Sequence, residues 1–154
     1  MVVLYRPSTG RVIWWKAGPW LGQHDVVVLD EHRIAIFDNN AAFSSGEKVQ
    51  RGVSRELVFD FRTGDVTSPW QAGFERHQLK VVSNGRGLPL PGGDLLVEDT
   101  VHGQVLRMGQ EGQVRWRFVH ADGEGRRLWL FWARYLPAGH YDAHIEAALE
   151  ARCD

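Results

Sequence analysis

The sequence predicts an all-β chain, a partial β-propeller of about three four-stranded blades followed by a short C-terminal helix. Three observations predict it. One hairpin-like segment recurs three times, a weaker hairpin recurs between the copies, and 17 glycines are spread among short β-branched and aromatic runs. Glycine turns between such runs are the pattern of strands rather than helices. The chain, residues 1–154, reads as one domain and as an incomplete ring, since propellers close with roughly 4–8 blades.

The three copies align without gaps: VVLYRPSTGRVIWWK at 2–16, ELVFDFRTGDVTSPW at 56–70 and QVLRMGQEGQVRWRF at 104–118, offset by 54 and 48 residues. Gly10, Gly64 and Gly112 coincide, as do Val12, Val66 and Val114. Each glycine follows a polar pair, where a hairpin needs a residue that tolerates positive φ. The second unit runs through Val26–Leu29, a turn at Asp30-Glu31-His32, and Arg33–Asp38. Its echo is Leu88-Pro89-Leu90, a turn at Pro91-Gly92-Gly93, and Asp94–Asp99. Hairpin plus hairpin gives four strands per repeat, and a hairpin alone cannot bury its apolar face, so the copies must stack. Residues 142–152, rich in Ala and Glu, are the one helix candidate. A β-sandwich of coincidentally similar hairpins is the alternative architecture.

Composition narrows the function classes. A net charge of −1 leaves no field to favour nucleic acid or an anionic membrane surface. The single cysteine, Cys153, allows no internal disulfide. The opening MVVLYRPSTG turns polar too soon for a signal peptide, and no window approaches the ~18 apolar residues of a membrane helix. Neither nucleic acid nor a membrane surface is expected as a main partner, and a homo-oligomer or further N-terminal blades are ways of completing the ring.

The stretch Gly18-Pro-Trp-Leu-Gly-Gln-His-Asp-Val-Val-Val-Leu, then Arg33-Ile-Ala-Ile-Phe-Asp-Asn-Asn40 and Ser54-Arg55, resembles the aryl-sulfotransferase family, in its C-terminal part. Leu90-Pro-Gly-Gly-Asp-Leu-Leu-Val, Gly112-Gln-Val-Arg-Trp116 and Trp132-Ala-Arg-Tyr135 extend the resemblance over most of the chain. The resemblance implies a bacterial propeller that transfers a sulfuryl group from an aryl sulfate to a phenol, without a nucleotide sulfate donor or other cofactor. It also implies a periplasmic location. His24 matches the family's transiently sulfonated histidine. A neutral imidazole suits that task, being nucleophilic near neutral pH. The family's His-x-Asn pair, which binds the sulfonate from a preceding blade, has no counterpart here.

Around His24 as catalytic residue, Arg55, Asn39 and Trp20 are the substrate-binding candidates. Arginine offers a bidentate, permanently charged fork to a sulfonate, asparagine an amide donor, and tryptophan an apolar wall for a phenyl ring. Trp14 and Trp15 are further aromatic candidates, and Asn40 a further amide. Each has a bland reading: a turn histidine, a structural strand arginine, turn-forming asparagines. Trp14, Trp70 and Trp116 resemble the tryptophans that dock neighbouring blades in PQQ-like propellers. No metal site is expected. His140 and His144 lack the intervening glutamate of a metalloprotease helix, and Asp38-Asn39-Asn40 lacks the spaced carboxylates of a calcium loop. Asn84-Gly85-Arg86-Gly87 reads as a plain loop. The competing function is a non-catalytic propeller module for protein binding or scaffolding.

Overall fold

The computed structural model describes residues 1–137, 139, 140, 145 and 147. Apart from Ile145 and Ala147, the helix expected over 142–152 lies outside the described residues, as does His144. The described chain is all-β, with 12 strands in four antiparallel sheets and one short helix.

The first copy is a two-stranded hairpin, β1 (Val2–Arg6) and β2 (Arg11–Lys16), joined by one 3₁₀ turn and Gly10 at φ 64°. Next come β3 (Gln23–Val28), β4 (Arg33–Asp38), a side hairpin of β5 (Ala41–Ser44) and β6 (Glu47–Gln50), then β7 (Arg55–Asp60) and β8 (Val66–Thr67). The strands β3-β4-β7-β8 make one four-stranded sheet. The helix α1 (Gln71–Arg76) leads to β9 (Arg86–Pro89), β10 (Leu95–Asp99), β11 (Gln104–Met108) and β12 (Val114–Val119), which form a second four-stranded sheet in sequence order. Two of the three repeats thus have four strands, and the first has two. The β5-β6 hairpin and α1 were not expected. Both are short, and α1 carries Gly73 because its turn packs on Gly112, where a Cβ would sit 3.2 Å from the Gly112 Cα and 2.7 Å from the Met108 sulfur.

The sheet β3-β4-β7-β8 is covered on both faces. On one, Ile34, Ile36, Leu57 and Phe59 pack with Val2, Trp14 and Trp20 of the first hairpin and its exit. On the other, Ala35, Phe37 and Val58 meet Leu95, Val97, Leu106 and Met108 of the next sheet, with Trp70 and Phe74 filling the seam. Each fully buried large side chain contributes about 1.5–3 kcal/mol, so these seams hold the sheets together. Trp14 and Trp70 both lie in them, Trp70 also donating its indole N–H to Gly93 O at 2.9 Å. Trp116 is exposed and stacks on Phe118 instead.

Strand register corrects one detail of the repeat. In the first four-stranded sheet Ile34 faces Phe59 and Ile36 faces Leu57; in the second Leu95 faces Met108 and Val97 faces Leu106. Leu106 therefore takes the place of Leu57, one residue later than alignment on the turn glycines suggests. The turn closed by Gly109 N–H and Gln113 O is one residue shorter than the one closed by Asp60 and Asp65. A β-bulge between Arg107 and Met108 absorbs the difference.

Candidate functional site

The two four-stranded sheets begin side by side, at the entrances of β3 and β9. At the entrance of β3, Gly22 turns the chain with φ 85°, and a Cβ there would lie 2.7 Å from Ala41 O. Register then slips: Gln23 stands opposite Asp38 while Asp25 stands opposite Phe37. His24 is the extra residue of that bulge. Bulges re-aim side chains, and this one turns the imidazole outward. His24 is exposed and makes no hydrogen bond or ion pair among the described residues.

The neighbouring strand supplies the facing wall. Asn84 and Gly85 both have positive φ, 56° and 80°, so the chain makes a tight turn before Arg86. Gly85 has no room for a side chain, since a Cβ would lie 2.8 Å from both Phe37 and Val81. Arg86 Nε donates to Asp25 Oδ2 at 3.1 Å, joining the two sheets at their mouths. The Arg86 guanidinium lies 4.9 Å from the Trp132 ring centroid, a cation–π geometry. A cavity of about 230 Å³ opens between these groups, its lining including His24, Asp25, Arg86, Glu98, Phe131 and Trp132.

Glu98, nearly fully buried, ties the walls together. Its Oε1 accepts from Thr100 Oγ1 at 3.2 Å, and that hydroxyl accepts from Gly85 N–H at 3.2 Å. Its Oε2 accepts from Ala133 N–H at 2.5 Å. One carboxylate so fixes the backbone just before Arg86 and just after Trp132.

The sequence-derived candidates are placed as follows. Arg55 donates from Nε to Asp38 Oδ2 at 3.1 Å, pairs with the same oxygen through Nη2, and reaches Pro19 O at 3.3 Å. Asp38 Oδ1 in turn accepts from Leu21 N–H at 2.8 Å. Together they hold the loop that leads into His24. Asn39 is fully buried; its Nδ2 donates to Val81 O and Asn84 O, each at 2.7 Å. It thereby holds the turn that presents Arg86. Asn40, with φ 52°, donates from Nδ2 to Val53 O at 3.0 Å. Trp20 is buried in the seam beneath the first hairpin. Arg55, Asn39 and Trp20 stand outside the lining of the cavity, one layer behind His24. Trp14 packs against Phe59 and Phe61, and Trp15 faces solvent.

Sequence reasoning did not single out Arg86, Glu98, Trp132 or Glu56. Glu56 lies beside Phe37 on β7, its carboxyl against Gly87, where a Cβ would fall 1.7 Å from Oε2. Both its oxygens are buried without a hydrogen-bond partner. Burial, and secondarily the charge of Asp25, pushes its pKa well above the carboxylate range. The same burial favours the protonated acid at Glu56, while Arg86 pairs with Asp25 instead. Among the described residues no cluster of His, Cys, Asp and Glu has the geometry to hold a metal ion, and no helix is long and apolar enough to cross a membrane.

A family model described as arylsulfotransferase (ASST) matches residues 1–121. No curated protein and no solved structure matches the chain. The matched stretch takes in both four-stranded sheets, the bulge at His24 and the turn before Arg86. It ends short of Phe131 and Trp132. On that match, which spans well over half its length, the chain belongs to the arylsulfotransferase family.

Proposed function

We propose that the chain carries the nucleophile's part of an aryl sulfotransferase, with His24 accepting a sulfuryl group from an aryl sulfate and passing it to a phenol. The observation that carries the reading is the family match together with an outward, unbonded imidazole at a bulge beside a cavity. On this reading the stacked sheets are consecutive blades of a propeller, and His24 lies near its axis because β3 and β9 are the innermost strands.

A free ring nitrogen of neutral His24 attacks sulfur. An N–S bond forms as the S–O bond to the aryl group breaks, and the phenolate leaves with the bonding electrons. A second phenol then attacks the same sulfur. Its proton passes to solvent, the N–S bond breaks, and the imidazole is restored. Covalent transfer divides one displacement into two, each aided by donors facing the sulfonate oxygens. Arg55 and Asn39 serve as positioning residues, one holding the loop before His24 and the other the turn before Arg86. Trp20 fills the seam under the same loop.

The test is direct. After exposure to phenyl sulfate, peptide mass spectrometry should find one added sulfuryl group on His24 and phenol released in equal amount. His24→Ala should abolish both. An unlabelled His24 in folded protein, or labelling that survives the substitution, would overturn the reading.

A further inference from the structure

We infer that Arg86 is the anion-binding arm of the His24 cavity and that Trp132 with Phe131 forms its aryl wall, so that neighbouring side chains take the sulfate group and the ring of the substrate. The inference rests on the sulfuryl-transfer reading and names the residues that would hold an aryl sulfate in place.

The guanidinium is fixed in two directions. Asp25 Oδ2 takes its Nε edge, and the Trp132 ring lies against its face. The two terminal nitrogens make no hydrogen bond among the described residues, and the Arg86 side chain is 32% exposed. An arginine so held presents a planar, permanently charged edge with little further entropy to lose, which is the form suited to two sulfonate oxygens. Among the described residues it is the one cationic side chain lining the cavity with His24. The carboxylates there are engaged: Asp25 on Arg86, and Glu98 on Thr100 and Ala133.

The aromatic wall has its own mark. Trp132 holds φ at 69°, a left-handed conformation that bulky residues avoid. The neighbouring Ala133 N–H is anchored on Glu98 and the ring on Arg86, which maintain that conformation. Strained backbone of this kind gathers at ligand clamps. Phe131 stands beside it, and both lie beyond the residues that the family model matches.

Binding measured in the His24→Ala background separates capture from transfer. With phenyl sulfate as probe, calorimetry should show Arg86→Gln weakening binding roughly ten- to a hundredfold, the value of a charge-assisted bidentate contact. Arg86→Lys should recover part of the loss, keeping the charge but not the fork. Trp132→Ala should weaken phenyl sulfate by a larger factor than inorganic sulfate, since the ring serves as aryl wall and also steadies the Arg86 guanidinium. Thermal melts of each variant establish that it is folded. Unchanged phenyl sulfate affinity in Arg86→Gln, with His24 labelled in the parent protein, overturns the inference and leaves the reading standing. Arg86-dependent binding without His24 labelling overturns the reading and leaves the anion site. Absence of phenyl sulfate binding in a folded His24→Ala protein overturns the inference.

Discussion

Glu56 is the residue with the clearest thermodynamic consequence. Its folded pKa is raised above the ordinary value of 4.5, chiefly by burial and next by the charge of Asp25. The folded state therefore binds this proton more tightly than the unfolded state does. Stability from this group is complete below 4.5 and falls as pH rises through the folded pKa. Glu56→Gln removes the titration while keeping the shape. Melting temperatures measured across that range should fall less with pH than in the parent, so that the variant gains on the parent as pH rises. An unchanged pH slope would show that Glu56 is ionised in the folded protein. Asn39 makes the opposite case, since its amide spans two carbonyls that nothing else replaces equally well. Asn39→Ala should cost about 1–3 kcal/mol, chiefly the loss of the donor to Asn84 O, since Val81 O keeps Ser54 Oγ at 3.4 Å. Denaturant unfolding checks it.

At the scale of elements, the close approach of the Glu56 side chain on β7 to the backbone of β9 depends on what is missing from Gly87. Because a Cβ there would collide with Glu56 Oε2, Gly87→Ala should destabilise by about 1–3 kcal/mol through overpacking. Glu56→Ala makes room for it. The double variant should therefore be less destabilised than the sum of the two single changes, with a coupling above about 0.5 kcal/mol in a denaturant cycle. Additive effects would mean that the two strands do not touch at this point. The same pair shows where sequence reading succeeds and where it stops. Turn glycines and alternating apolar runs disclosed the hairpins, the second hairpin of each four-stranded sheet and the all-β class, because those features are local. They did not disclose the one-residue slip of the third copy, since a shorter turn and a compensating bulge leave the glycines aligned while moving every strand residue. Glu56, Val58 and Asp60 alternate as a solvent-facing row would, yet this sheet has a neighbour on both faces, so the alternation hid a buried acid. His24 was legible from its motif. Arg86 was not, because flanking glycines made it look like loop, and its partners Asp25 and Trp132 are distant in sequence.

For the molecule as a whole, the repeat shows which surface the described residues leave without a cover. Val3 and Tyr5 occupy in the first hairpin the places of Leu57 and Phe59 in the next sheet. Leu57 and Phe59 are 4% and 5% exposed because the first hairpin lies on them; Val3 and Tyr5 are 43% and 54% exposed, with Trp15 beside Val3 at 62%. A contiguous apolar face of this kind marks an interaction surface or an aggregation liability, and the shape that fits it is the outer face of another sheet of the same repeat. Trp116 and Phe118 on β12, half-exposed beside Leu130 and Phe131, are the apolar side chains at the far end of the stack. Joining one copy's β12 face to another's first hairpin is a head-to-tail contact, which closes into a ring or propagates according to the rotation between copies. Sedimentation equilibrium should then show association that rises with concentration. Val3→Lys with Trp15→Lys, both on exposed positions, should shift the protein to monomer while changing unfolding stability by only about 0.5 kcal/mol per site. Association undiminished in that variant would place the contact on another surface, and a parent chain monomeric at every concentration would remove the need for one.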